Sequence, residues 1–243
     1  AAASVGADAL TAALQGVTGP EALPDLFVSA GFEAFFDHRH LARFKDRGVF
    51  VDRSWPRHNA LLEPYGLRDP DGHYTMLAVV PAVFLVDLNQ LADGQSAPRT
   101  WADLLQPEFA GKLALPVGDF DLFNGILLAI WAEFGEAGVQ ALGRNLLVDL
   151  HPSQASGRFA GRSEKAPLVA VIPWFFSKMA RFNPRAEVVW PDDGAIASPV
   201  FMLLKRDAPP GTERLADVLT SRRAGEILSG RGLFPSCHPE VHN

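Results

Sequence analysis

The chain is poor in the residues that carry most kinds of site chemistry. It has a single cysteine, Cys237, so no internal disulfide can form and cysteine usage leaves the redox compartment open. It has only two tyrosines, Tyr65 and Tyr74. Charged residues make up 21% of the sequence and sum to −6, which gives no basic footprint for nucleic acid. The longest apolar runs, such as Tyr74 to Val86 and Ile126 to Trp131, fall short of the roughly 18–20 residues of a membrane span. No basic segment precedes an apolar one at the start. Gly-x-Ser-x-Gly, the P-loop, Gly-x-Gly-x-x-Gly and His-Glu-x-x-His are all missing, which counts against an enzyme. Internal repeats are absent too.

What is present is a well-packed globular composition, 48% hydrophobic, with 19 prolines and 21 glycines that imply many short connections. A length of 243 residues fits one large domain or two lobes of ordinary size. Residues 1–18 are small and Ala-rich and read as the remnant of a helix or a linker; either a signal peptide has been removed or the sequence starts downstream of one.

Helical and strand-like segments alternate. Ala9 to Leu14 reads as a weak helix, and Asp25 to Ser29 as a short buried parallel strand. A helix is expected over Glu33 to Phe44. Tyr74 to Val86 is too long for one flat strand and holds Pro81, so it is expected to bend there and pass from one lobe to another. In residues 97–116, Thr100 caps a short helix starting at Trp101, Pro107 ends it, and Gly111-Lys112 turns the chain into the strand Leu113 to Leu115. Asp121 to Phe134 is a helix closed by Gly135, followed by a helix over Val139 to Leu147. Strands are expected over Leu168 to Ile172 and Ala186 to Val189. Ala195 to Leu204 is a second long apolar run, with Pro199 near its middle. Thr220 to Ser229 is the last helix. Two long strands with internal prolines, bracketing a complete α/β pattern, imply a chain that leaves one lobe, builds a second and returns. Lobe 1 would be residues 1–82 plus 200–243 and lobe 2 residues 83–199.

These stretches carry a resemblance. Thr100-Trp101-Ala102-Asp103-Leu104 followed by Pro107-x-x-x-Gly111-Lys112, an apolar strand and Pro116 resembles the type II periplasmic solute-binding proteins of ABC importers. So do Leu23-Pro24-Asp25-Leu26-Phe27-Val28-Ser29, the run ending in Val86-Asp87, Gly194 to Val200, Lys205-Arg206-Asp207-Ala208-Pro209, and Thr220 to Pro235. The resemblance covers about residues 23–240 and is nearest the ferric-iron, small-anion and polyamine-type binders. It implies an α/β fold of two lobes with a central hinge of two crossover strands near Pro81 and Pro199. It also implies a solute gripped in the interlobe cleft and delivered to a membrane ABC permease. The family opens with a strand and a long helix before the Leu-Pro-Asp strand. Only about 22 residues precede it here, so either lobe 1 is incomplete at its N-terminus or that part of it lies on another chain. Iron binders of this family use adjacent tyrosines, and Pro173-Trp174-Phe175-Phe176 stands where they would lie, which argues against phenolate coordination of Fe³⁺.

The candidate ligand-binding residues lie in loops that this fold aims at the cleft. Ser29, Gly31 and Phe32 offer a hydroxyl and backbone N–H groups at a helix start, an anion site or a plain cap. Asp119, Asp121 and Asn124 open the second-lobe helix, with Asp121 equally suited to capping. Gln154, in the polar loop His151-Pro152-Ser153-Gln154, is a hydrogen-bonding candidate or a solvated residue. Trp174 offers a ring face to a ligand or cation, or packs in the core. Trp190 and Asp193, in Trp190-Pro191-Asp192-Asp193-Gly194, suggest amine or cation recognition, or a polar turn. Asp37-His38-Arg39-His40 and Cys237-His238-Pro239-Glu240-Val241-His242 tempt a metal reading, but the first pair of histidines does not converge on a helix, and both groups are read as surface.

The expected function is therefore the substrate-binding component of an ABC transporter, periplasmic or extracellular. It would bind a small molecule or ion, with no cofactor, no resident metal and no nucleic-acid partner, as a monomer. The alternatives are a ligand-sensing domain or an enzyme on the same scaffold.

Overall fold

The computed structural model describes residues 14, 16–31, 33–117, 120–149, 166–180 and 185–243. Its strands are β1 (Leu26–Ser29), β2 (Phe50–Val51), β3 (Thr75–Asp87), β4 (Leu113–Leu115), β5 (Leu146–Asp149), β6 (Val169–Pro173), β7 (Ala186–Val189) and β8 (Ala197–Lys205). The α-helices are α1 (Glu33–Phe36), α2 (Ala42–Lys45), α3 (Trp101–Leu104), α4 (Phe120–Asn145), α5 (Ser177–Ala180), α6 (Pro210–Leu219) and α7 (Arg222–Ile227). The chain divides into two compact units, unit 1 of Ala1–Val80 with Ser198–Asn243, and unit 2 of Pro81–Ala197.

β3 is buried from Thr75 to Val86, which is why its sequence is apolar throughout instead of alternating. Proline has no N–H to give to a ladder. Pro81 stands where β3 changes partners: the pairing with β6 starts at Ala82, opposite Pro173.

In unit 2 the hydrogen-bonded order is β3-β6-β4-β5, with β7 on β3. β3 is antiparallel to β6 and β7, and β4 is parallel to β5 and β6. One face packs Phe84, Leu113 and Leu115 against Trp101, Leu104, Leu122, Ile126 and Ile130. Phe84 meets Trp101 edge-on, 4.9 Å between centroids. α3 is fixed by a reciprocal capping box: Thr100 Oγ1 accepts from the Asp103 N–H and Asp103 Oδ2 from the Thr100 N–H. Gly111, at φ 65, makes the turn into β4 that a side chain would resist.

α4 is a helical run broken at Gly135, where φ is 64 and ψ is −164. By length and composition its stretch Asp121–Asn145 could cross a membrane. The break divides it into shorter pieces, and Leu122, Ile126, Ile130 and Leu142 are buried in the unit 2 core. The second piece ends at Asn145, short of the expected Leu147, because Leu146 and Leu147 join β5. Asn145 is buried and its amide donates to the Leu104 and Gln106 carbonyls, tying the helix end to the end of α3.

In unit 1 the order is β1-β8-β3, with β2 also on β8. β1 runs antiparallel to β8, opposite to the parallel strand expected, and only Phe27 is buried, so it is an edge strand with one dry face. The helix expected over Glu33–Phe44 is two single turns. Asp37 stops it, since its carboxylate accepts from the Arg39 N–H at 2.8 Å and from the Arg39 guanidinium at 2.6 Å. The core is aromatic: Phe27 meets Phe35 and Phe50 edge-on, and Phe35 meets Phe201 at 4.6 Å. α6 has no counterpart in the sequence reading. Pro209-Pro210-Gly211 looks like loop, yet proline at the first helical position is preset in φ and lacks only an N–H that the first turn leaves unpaired anyway. The helix expected over Thr220–Ser229 is shorter, Arg222–Ile227, followed by a wider turn over Leu228–Gly232.

The C-terminal tail belongs to unit 1. The Val79 N–H donates to the Pro235 carbonyl, and the Cys237 N–H to the Leu77 carbonyl. Asn59, itself buried, donates to the Val241 carbonyl at 2.6 Å. Cys237 and His238 are therefore buried, not the surface residues the sequence suggested. The Cys237 thiol is pushed up to about 12 by burial, and the His238 imidazole is held below its ordinary value mainly by burial. His38 and Arg39 do lie on the surface.

Candidate functional site

β4, β5, β6 and β7 all run opposite to β3, so their carboxyl ends open on one edge of the unit 2 sheet. Open α/β sheets bind ligands at that edge. The segment after β4 leads into α4, whose first turn holds Asp121 and Asn124, both half-buried. The chain leaving β6 starts with Trp174, and the chain leaving β7 with Trp190 and Asp193. The topology thus gathers five of the candidate residues on one edge. Asp119 and Gln154 lie outside the described residues.

Trp174 and Trp190 meet edge to face, 4.9 Å apart and inclined by 73°. Trp174 is half-buried and Trp190 is 41% exposed, so part of the pair's ring surface is open to solvent. The Phe175 and Phe176 rings lie 4.2 Å apart, tilted by 35°.

The Trp190–Gly194 loop is held to the start of α3. Its turn closes with the Gly194 N–H on the Pro191 carbonyl. Asp193 Oδ2 accepts from the Trp101 N–H at 2.9 Å, capping α3, and the Trp101 indole N–H donates to the Gly194 carbonyl at 2.9 Å. Asp192 accepts from Arg99 through both oxygens, at 2.9 and 3.2 Å. That hydrogen bonding keeps the Asp192 carboxyl below its usual range and pushes the Arg99 guanidinium up. Asp192 is thus already paired with a cation, and Asp193 holds a backbone N–H. The two residues fix the loop that carries Trp190. Arg99 and Trp101 were not among the candidate site residues read from the sequence, since about ninety positions separate them from the loop they hold and no local signal marks the pairing.

In unit 1, Ser29 ends β1 and its Oγ accepts from the Gly31 N–H at 3.0 Å, a local turn. Phe32 lies outside the described residues. α1 has only four residues, too few for its peptide dipoles to add to a substantial positive end. The anion-site reading therefore loses its helix and keeps the hydroxyl and the loop.

Neither tyrosine is placed as a phenolate ligand. Tyr65 is 74% exposed. Tyr74 packs edge-on against Phe36, and its phenol is raised by burial and then by Asp69. Among the described residues no group of three or more His, Cys, Asp or Glu is placed to hold a metal ion.

Residues 21–243 match the family described as bacterial extracellular solute-binding protein. Three solved structures share the fold at low identity. One is a two-component system protein that mediates signal transduction, with a TM-score of 0.72 and 19% identity over 97% of this chain and 76% of that one. Another is the ferric binding protein from Campylobacter jejuni, with a TM-score of 0.65 and 18% identity over 99% of this chain and 77% of that one. A third is the substrate binding protein of an ABC transporter from Agrobacterium tumefaciens, with a TM-score of 0.65 and 16% identity over 97% of this chain and 70% of that one. No curated protein matches the chain.

Proposed function

Since the chain belongs to the bacterial extracellular solute-binding proteins, an α/β family that works outside the cytoplasm, we propose that it is the substrate-binding component of an ABC importer. It captures one small solute without chemical change and presents it to a membrane permease, acting as a monomer and without nucleic acid. The family match over residues 21–243 carries this reading.

The ligand-contacting residues we propose in unit 2 are Trp174, Trp190, Asp121 and Asn124, with Asp119 and Gln154 as further members; in unit 1 we propose, by themselves, Ser29, Gly31 and Phe32. Asp193 positions the Trp190 loop. The edge-to-face indole pair favours a solute with a flat, apolar or cationic face, for which ring contact supplies about 0.5–2 kcal/mol. Ferric ion held by a tyrosine pair is disfavoured by where Tyr65 and Tyr74 lie.

Native mass spectrometry with metal analysis of freshly purified protein tests this. One bound organic molecule per chain is expected, lost in Trp174→Ala and Trp190→Ala while the circular dichroism is unchanged. Stoichiometric ferric ion, or turnover of the bound molecule, would overturn the reading.

A further inference from the structure

The two indoles that meet in unit 2 are carried by unlike supports. Trp174 follows β6, an interior strand of the sheet, and Pro173 just before it lies opposite Ala82 of β3. The sheet therefore sets where Trp174 stands. Trp190 follows β7 and opens a loop that closes on itself by one bond, the Gly194 N–H on the Pro191 carbonyl. Pro191 is buried, but Trp190, Asp192, Asp193 and Gly194 are all exposed. Packing alone does not hold such a loop to one ring angle.

What holds it is the chain just ahead of α3 and its first residue. Five hydrogen bonds join residues 99–101 to residues 192–194. The Asp192 N–H donates to the Arg99 carbonyl at 2.7 Å, and the Arg99 guanidinium returns two bonds to the Asp192 carboxylate at 2.9 and 3.2 Å. The Trp101 N–H donates to Asp193 Oδ2 and its indole N–H to the Gly194 carbonyl, each at 2.9 Å. The receiving end is fixed beforehand. Asp103 Oδ2 accepts the N–H groups of Arg99 and Thr100, at 2.8 and 2.9 Å. The Trp101 ring is buried against Phe84. Between the indoles there is one aromatic contact. Five bonds outweigh it, two of them a charge-assisted fork in a fixed plane. Docking of the loop thus sets the angle between the rings, not the reverse.

We propose that Arg99 is a positioning residue of the solute site. It latches Asp192, with Trp101 holding the far end of the loop, so that Trp190 meets Trp174 in the geometry that grips the solute. The proposal rests on reading the two indoles as solute contacts. It places part of the control of affinity in a surface ion pair, both side chains of which are more than half exposed.

The test reads the ring pair directly. Two close indoles couple their absorption and give an exciton couplet in far-ultraviolet circular dichroism. The difference between the intact chain and Trp190→Phe isolates the couplet of this pair. Arg99→Gln is expected to lose most of it with the helical signal unchanged, because the substitution is at the surface. Asp192→Arg should lose it as well, and the exchange of Arg99→Asp with Asp192→Arg should restore it in part. A merely structural Arg99 would lower the melting temperature and leave the couplet intact. The binding arm is titration with N-methylpyridinium, a flat cation, followed by tryptophan fluorescence. Its saturable quenching should weaken about threefold or more in Arg99→Gln. An unchanged couplet in Arg99→Gln, or no recovery in the exchange, overturns the latch whatever the solute is. A lost couplet with unchanged N-methylpyridinium affinity overturns the role of Arg99 in binding. Saturable quenching that is missing from the intact chain, or that survives Trp190→Ala, instead overturns the indoles as solute contacts.

Discussion

Unit 2 is organised around one sheet whose strands β3, β4 and β6 bury both faces, with a long broken helix laid on one of them. Unit 1 combines two single-turn helices with the ten-residue α6, an edge strand, and a tail that returns to close the core. The contrast shows in how each holds itself together. Unit 2 combines continuous apolar contact around Phe84 and Trp101 with clamps at the helix ends, Asn145 on the Leu104 and Gln106 carbonyls and Asp193 on the Trp101 N–H. Unit 1 relies on an aromatic cluster supplemented by side chains clamping backbone, such as Asn59 on Val241, and the buried Lys205 on Asp25 and the Leu23 carbonyl. In both units the polar clamps sit where regular structure ends and leaves backbone groups unpaired.

The largest effect is expected where unit 2 is most apolar. Phe84→Ala should cost about 3–5 kcal/mol, with hydrogen exchange rising within residues 81–197; a loss confined to unit 1 would break the distinction. Next comes the clamp of unit 1. Asn59→Ala strands buried carbonyls and should cost about 2–3 kcal/mol in a denaturant titration, with proteolysis exposing the tail first. Gly225→Ala strikes the same seam sterically. A Cβ there would lie 2.6 Å from Ser236 Oγ and 2.9 Å from Val241 Cγ2, so about 1–3 kcal/mol is expected, and a neutral outcome would mean the tail is loosely held. Thr100→Ala removes one half of the α3 capping box and should cost about 1 kcal/mol by thermal melting.

The smallest effect is one of pH and is expected in unit 1. Burial holds His58 and His238 below their ordinary value near 6.5. The fold therefore favours their neutral forms, and the unfolded chain takes up protons first. The stabilisation is complete above about pH 6.5 and declines as pH falls below it. Melting curves between pH 7.5 and pH 5, compared with His238→Gln, measure it; an unchanged slope in the variant would remove His238 from the account.

Much of the local structure was legible. Thr100 marked the start of α3, Gly135 the break in α4, and the strand expected over Ala186 to Val189 matched β7 residue for residue. The misses share a cause. Asp37 sits inside an apolar pattern that reads as helix, and only its grip on Arg39 shows that the chain prefers a turn. Pro209-Pro210-Gly211 signals a loop until the following turn shows it to be a helix start. Of the site, the sequence placed Trp174 and Trp190 at strand ends, and the sheet brings them into contact. It could not tell that Asp192 and Asp193 are engaged by Arg99 and Trp101.

The sequence by itself determined the caps, the breaks and the apolar runs, because each depends on residues within a few positions of one another. Tertiary structure decided that β1 pairs antiparallel at an edge, that Cys237 and His238 are buried, and which charged groups are already paired. A carboxylate or an imidazole is the same letter in the sequence whether solvent or a distant guanidinium satisfies it. Its chemistry is fixed only when folding brings that partner within hydrogen-bond reach.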